Sequence, residues 1–370
     1  MKSPGVPREA PVIDAALRQG MTVMGELELA WRLLPNRFLA VTGTNGKTTT
    51  VEWIGHILRT AARPVTVTGN VGTAASSLIG MVDPVATVVC EASSFQLQDT
   101  LAFAPEIAVL LNLAPDHLDR HGTFADYVAA KLQIFAHQGN DDVAVAPLGL
   151  GIEDLGGCAR RVCVGSGPGA ELSEQAGRLW WDETPFIAVD EISLPGAHNR
   201  ANAMAAAAAC LADGVAIDAV AEGLRSFAGV AHRLETVAVH GGVRYVNDSK
   251  ATNVDSAIVG LRSFAPGTVH LIAGGRGKAQ DFSPLAAPVA KHARAVYVIG
   301  ESGKEVAKAL EGTDVAVHHC ADLDTAVMTA AAAARAEETV LLSPACASYD
   351  QFSDFEVRGE RFRTLVASLR

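Results

Sequence analysis

No two of the six cysteines (Cys90, Cys158, Cys163, Cys210, Cys320, Cys346) form a CxxC pair, and none stands at zinc-site spacing from a histidine. That excludes a disulfide framework or a structural zinc site and leaves scattered thiols in a reducing compartment. Runs of apolar residues long enough to span a bilayer are also missing. The opening, "MKSPGVPREAPVIDAALRQG", puts prolines and charges where a signal peptide needs an apolar core. A cytoplasmic protein without membrane insertion is expected. Positive charge is scarce: 30 Lys and Arg against 41 Asp and Glu leave a net −11. Nucleic acid is therefore not expected as a partner. An anionic substrate remains compatible, because local cations and metal ions can invert the field inside a cleft.

What is present fits an enzyme-like globular protein. Hydrophobic residues make up 49% and charged ones 19% of 370 residues, enough chain for two or more cored domains. Short β-rich runs alternate with helical patterns, the signature of α/β layers around mostly parallel sheets. Strands are expected at Phe38–Thr42, Val65–Thr68, Ala86–Glu91, Ile107–Asn112 and Val143–Ala146. A second series follows at Glu235–Val239, Val243–Asn247, Val269–Ala273, Ala295–Ile299, Val315–His318 and Thr339–Leu342. Between them, residues 149–185 are rich in glycine and acids, and the alanine-rich stretches near Ala205 and Ala330 read as helix interiors. The pattern restarts around Ala228–Arg233, so a second, Rossmann-like domain is expected from there.

Polar residues collect just after the strands, where open α/β sheets form their ligand crevice. "VTGTNGKTTTVEWIG" is a strand, a glycine turn and a helix, an order that aims backbone amides and Lys47 at a phosphate. Val41 occupies the position of the first glycine in the general phosphate-loop spacing. What remains is the shorter Gly43-x-x-Gly46-Lys47-Thr48, which an ordinary turn with a solvated lysine can also produce. Glu91 leaves an apolar strand, which is costly unless it is paired or metal-bound. Mg²⁺ beside a phosphate loop is one partner for it and a polar loop the bland alternative. Asp116, His117, Asp119, Arg120 and His121 crowd one loop ahead of a helix that carries Lys131. Asp248, Ser249, Lys250 and Thr252 occupy another strand-to-helix loop, and "AGGRGKAQDF" supplies a glycine turn with Lys278.

Taken in order, "GTNGKTTT", "GNVG", "EASSFQLQ", "APDHLDRHG", "AAKLQIF", "LPGAHNRANA", "HRLE", "NDSKATN" and "SPACASYDQFSDFEVRG" resemble the motifs of the Mur ligases. "NDSKATN", "SPACASYDQF" and the opening "SPGVP" resemble most the members that add D-glutamate, and the DNPR-type signature of a related branch is absent. The resemblance implies a central P-loop ATPase-type parallel-sheet domain (residues 37–229) followed by a Rossmann-like C-terminal domain (230–370). Residues 1–36 would be the last stretch of an N-terminal uridine-nucleotide-binding domain, with weak nucleotide-substrate binding as the expected consequence. The activity implied is ATP-dependent amide bond formation through an acyl phosphate, joining D-glutamate to UDP-N-acetylmuramoyl-L-alanine. The chain would be a monomer.

The same resemblance assigns residues. Lys47 with Gly43, Thr44, Asn45, Gly46, Thr48 and Thr49 would hold the ATP phosphates, with Thr48 and Glu91 on one Mg²⁺. His117 would ligate a second Mg²⁺, Lys131 would be carbamylated to orient the metal shell, and Asn70 would contact the acyl substrate. Asn199 and Asn202 would meet the adenine, while Arg233 and Asp248 would reach the ATP from a hinge and the last domain. Ser3 would touch the uridine nucleotide, and Lys250, Thr252, Lys278, Ser348 and Phe355 would form the D-glutamate pocket. Two alternatives remain: another Mur or folylpolyglutamate-type ligase, and a catalytically silent nucleotide-binding module.

Overall fold

The structure, a computed structural model, describes residues 1–369 apart from 4–5, 7–9, 70–72, 115, 117, 153, 168 and 278–279; for 118 and 119 it describes the backbone alone. Its contacts divide the chain into two compact units, Met1–Gly229 and Val230–Arg370.

In the first unit the helices Pro11–Arg18 (α1) and Glu26–Leu33 (α2) precede a nine-stranded sheet. Buried Glu28 ties α2 down by accepting the amides of Leu101, Ala102 and Phe103 at 2.9, 3.2 and 3.0 Å. The strands are Phe38–Thr42 (β1), Val65–Gly69 (β2), Thr87–Glu91 (β3), Ile107–Leu110 (β4), Val143–Pro147 (β5), Arg160–Gly165 (β6), Leu172–Gln175 (β7), Arg178–Trp181 (β8) and Thr184–Ala188 (β9). They lie in the order β2-β3-β1-β4-β5-β6-β7-β8-β9. Pairing is parallel from β2 to β7 and antiparallel over the last two hairpins. Every residue of β1, "FLAVT", is buried, as a central parallel strand covered on both faces requires. Lys47–Thr60 (α3) follows β1, and Ala197–Ala212 (α7) and Ile217–Ser226 (α8) pack against it. Shorter helices, Ser94–Leu97 (α4), Leu118–His121 (α5) and Phe124–Leu132 (α6), flank β4 in the chain.

Each strand read from the sequence is present, with ends moved by a residue or two. Residues 149–185 are the exception: no strand was expected there, and β6 to β9 extend the sheet. These strands are as long as β1 to β5 but half exposed, so they lack the continuous apolar run of a strand buried on both faces. Ala176 and Gly177, at φ 49° and 72°, make the two-residue turn between β7 and β8.

The second unit holds a six-stranded sheet ordered β10-β11-β15-β12-β13-β14. Its strands are Glu235–His240 (β10), Val243–Asn247 (β11), Val269–Gly274 (β12), Ala293–Ile299 (β13), Ala316–His319 (β14) and Thr339–Leu342 (β15). All neighbours are parallel except the β10–β11 hairpin. Helices Val254–Arg262 (α9), Ala286–His292 (α10), Gly303–Ala309 (α11), Leu323–Ala333 (α12) and Phe355–Ser368 (α13) cover two apolar cores, one centred on Leu271 and Val296 and the other on Ile272 and Tyr297.

Candidate active site

In the first sheet β1 lies between β3 and β4, and the chain leaves β1 and β4 toward opposite edges. Such a switch point opens a crevice at the carboxyl ends of the strands. The loop of residues 43–46 lies there. Gly43 has φ 151°, and a Cβ on it would sit 2.9 Å from the Leu111 Cβ. Gly46 has φ 88°, and its Cβ would fall 2.2 Å from the Asn202 Oδ1. Only glycine fits either place.

The loop after β4 holds the glycine loop in shape. Thr44 N donates to the Asn112 carbonyl at 3.0 Å, Asn45 N to the Asn112 Oδ1 at 2.9 Å, and the Asn112 amide returns a bond to the Asn45 carbonyl at 3.0 Å. The Thr44 hydroxyl accepts the Ala114 amide and lies 3.0 Å from the Tyr127 hydroxyl. Asn112 and Tyr127 are site residues that the sequence pattern does not single out. The asparagine closing an apolar strand in "LNLAPD" was the available signal.

Two ammonium groups converge on this loop. Lys47 Nζ donates to the carbonyls of Gly43 and Thr44 at 3.0 and 2.9 Å. Lys131 Nζ, from the last turn of α6, donates to the Gly43 carbonyl at 2.7 Å and lies 4.7 Å from the Tyr127 ring centre. Lys131 is only 2% exposed, and burial, reinforced by the positive charge of Lys47, lowers its pKa to about 7. At the start of α3 the Thr48 hydroxyl donates to the Glu91 carboxylate at 2.7 Å. Glu91 is buried at the end of β3, and a Cβ on the adjacent Gly69 would collide with its backbone at 2.4 Å. Thr49 and Asn202 are buried behind the loop, while Asn199 donates to the Pro195 carbonyl at 2.9 Å. Ser3 is exposed.

Of the crowded loop, His121 bonds the Ser94 hydroxyl at 2.9 Å and stacks on Phe95 at 5.2 Å, and Arg120 lies 4.0 Å over the same ring. Asn70, His117 and Lys278 lie outside the described residues. Among the described residues no group of three or more His, Cys, Asp or Glu could hold a metal, and no helix is long and apolar enough to cross a membrane.

In the second unit the loops after β11, β12 and β15, three adjacent strands, meet at one edge. Asp248 accepts the Ser343 hydroxyl at 2.7 Å and the Leu234 amide at 3.2 Å, and burial raises its pKa to about 7 despite both bonds and the nearby charge of Arg233. Lys250 Nζ lies 5.9 Å from the Phe355 ring centre. Thr252 donates its amide to the Lys250 carbonyl at 2.9 Å, and Ser348 is buried in the loop after β15.

A strand, a glycine loop fenced by neighbouring backbone, a lysine and a Thr–Glu pair at a helix start define an α/β protein of the phosphate-loop class. Its particular branch follows from two regions of the chain: residues 41–154 match the Mur ligase middle domain, and residues 232–346 match the Mur ligase glutamate ligase domain. The chain belongs to the Mur ligase family. It is 43% identical to the UDP-N-acetylmuramoylalanine–D-glutamate ligase of Pelotomaculum thermopropionicum, over all of this chain and 83% of the relative. The ligases of the same name from Acidobacterium capsulatum and Gloeobacter violaceus are each 41% identical, over 100% and 99% of this chain and 82% and 84% of theirs. Among solved structures, UDP-N-acetylmuramate-alanine ligase from Thermotoga maritima superposes with TM-score 0.66 at 20% identity, over 99% of this chain and 84% of that one. The MurF ligase of the same organism in complex with ADP gives 0.65 at 19%, over 96% and 91%. At these identities the structural matches establish the fold alone.

Proposed function

We propose that this chain is an ATP-dependent ligase that joins D-glutamate to UDP-N-acetylmuramoyl-L-alanine in peptidoglycan precursor synthesis, in the cytoplasm. The observation that carries the reading is the meeting of Lys47, Lys131 and the Thr48–Glu91 pair at the rim of one glycine loop. The whole-length similarity to curated D-glutamate-adding ligases names the substrates.

Transfer of a phosphoryl group between two anions needs neutralised charge and fixed geometry more than covalent help. Amides 44–48 and Lys47 would cradle the β- and γ-phosphates, with Lys47 exchanging its carbonyl partners for phosphate oxygens. The substrate carboxylate would take the γ-phosphoryl group, and the amine of D-glutamate would then displace phosphate from the acyl carbon. Thr48 and Glu91 fit Mg²⁺, since a hydroxyl and a carboxylate already within 2.7 Å are hard oxygen donors beside the phosphate site. The ion would supply charge neutralisation. A second Mg²⁺ is assigned to His117, with Asn70 on the acyl substrate.

Lys131 fits carbamylation because CO₂ reacts only with a neutral amine, and burial brings its pKa to about 7. The carbamate would be an anion facing Lys47. Asn199 and Asn202 are assigned to adenine, and Arg233 and Asp248 to the nucleotide. Lys250, Thr252, Lys278, Ser348 and Phe355 are assigned to D-glutamate, and Ser3 to the uridine nucleotide.

Phosphate release that requires ATP, the muramoyl-alanine nucleotide and D-glutamate together tests the proposal. ATP binding without joint turnover at any substrate concentration would replace it with the silent nucleotide-binding module.

A further inference from the structure

Arg358, on the first turn of α13, is 1% exposed. Its Nε donates to the Ser249 hydroxyl at 2.9 Å, and its Nη2 to the carbonyls of Ser249 and Cys346 at 2.9 and 3.1 Å. The Ser249 hydroxyl in turn donates to the Phe355 carbonyl at 2.8 Å. Nη1 is buried without an acceptor among the described residues, 3.3 Å from where a Cβ on Gly275 would sit. No Asp or Glu lies within ion-pair distance of the guanidinium among the described residues; Asp350 acts on it only through longer-range attraction. Burial lowers its pKa to about 10, so it stays charged near neutral pH.

A buried cation without an ion-pair partner is expensive, and a well-packed apolar side chain would be more stable in its place. The segments around it are Ser249, next to Lys250; Cys346, two residues before Ser348; Gly275, just past the end of β12; and Phe355. We propose that Arg358 is a positioning residue of the acceptor pocket: it locks these loops in register, and its unbalanced charge favours an acceptor that brings carboxylates. The inference rests on the reading of the second unit as the D-glutamate site.

The test compares Arg358→Met, which keeps bulk without charge, with Arg358→Lys, which keeps charge without the fork. We expect the KM for D-glutamate to rise about tenfold or more in Arg358→Met, with the KM for ATP within about threefold. The preference for D-glutamate over its neutral amide, D-glutamine, should shrink in Arg358→Met and survive in part in Arg358→Lys. If Arg358→Met does not fold, Ser249→Ala, which removes one acceptor of the fork, should give the same split at smaller size. An unchanged D-glutamate KM in a folded variant, or equal losses for ATP and D-glutamate, overturns the inference while leaving the function standing. A wild-type chain that neither binds nor turns over D-glutamate overturns the acceptor reading, and the inference with it.

Discussion

Lys131 in the first unit and Asp248 in the second are buried to a similar degree, 2% and 5% exposed, and burial drives both to about 7 from opposite sides. The ammonium is pushed down because a charge loses its water, and the carboxyl is pushed up for the same reason. As pH rises through 7, the first unit loses a cation and the second gains an anion. Losing the buried cation relieves the fold and gaining the buried anion burdens it, since each charge would sit more cheaply in water. The lesson concerns use. A buried amine that is neutral near pH 7 is a nucleophile for CO₂, while a buried carboxylate is a strong, unscreened charge for a cation or an N–H to find.

Replacing each group should therefore give a different kind of loss. Lys131→Ala is expected to cost about a thousandfold in turnover, the scale of removing a preorganised charge beside a reacting phosphoryl group. Acetate or propionate should restore part of it, by entering the space left by the side chain and standing in for the carbamate. Asp248→Asn keeps the shape and the Ser343 partner but not the charge, and should lose about a hundredfold. Carboxylic acids should do nothing for it, because no space opens. Full activity of Lys131→Ala, or equal rescue of both variants, would remove the distinction between them.

The glycine loops offer a second contrast. Gly46→Ala forces a left-handed conformation on alanine, which costs roughly 1–2 kcal/mol, and drives its Cβ to 2.2 Å from the Asn202 Oδ1. ATP affinity should fall by about ten- to a hundredfold. Gly275→Ala would meet the Ala347 carbonyl at 2.4 Å. It should raise the D-glutamate KM and spare ATP. Titrations of both ligands into both variants check the division, and crossed effects would break it.

Much of this is legible in the amino-acid sequence. The strands of both sheets announce themselves as apolar runs bounded by turns, because parallel strands buried on both faces leave little choice of residue. The polar residues after β1, β3, β11 and β15 were legible for a related reason: nothing in packing calls for Lys47, Glu91, Asp248 or Ser348 at those ends. Two things stayed hidden. The strands β6 to β9 are half exposed and carry charged and polar residues, so their sequence resembles the loops between them. Asn112, Tyr127 and Arg358 act through neighbours distant in sequence, and an asparagine, a tyrosine or an arginine read in one dimension does not say which loop it braces.

The smallest expected effect is on stability, and it separates the two buried groups by sign. For Lys131 the folded chain gives up its proton near 7 and the unfolded chain near 10.5, so between these values the unfolded state holds more protons. Stability then rises with pH across that window, and the cost of burying the charge is fully present below it. For Asp248 the folded chain keeps its proton up to about 7 and the unfolded chain only to 3.8, so stability falls with pH between them and the cost persists above. Each slope is bounded by about 1.4 kcal/mol per pH unit for one proton. Denaturant unfolding of Lys131→Met in CO₂-free buffer should lack the rise above pH 7, and Asp248→Asn should lack the fall below it. Bicarbonate should add stability to the wild type above pH 7 and none to Lys131→Met, since only the lysine can be carbamylated there. Identical pH profiles for wild type and both variants would mean that neither group titrates near 7, and the comparison would collapse to two ordinary side chains.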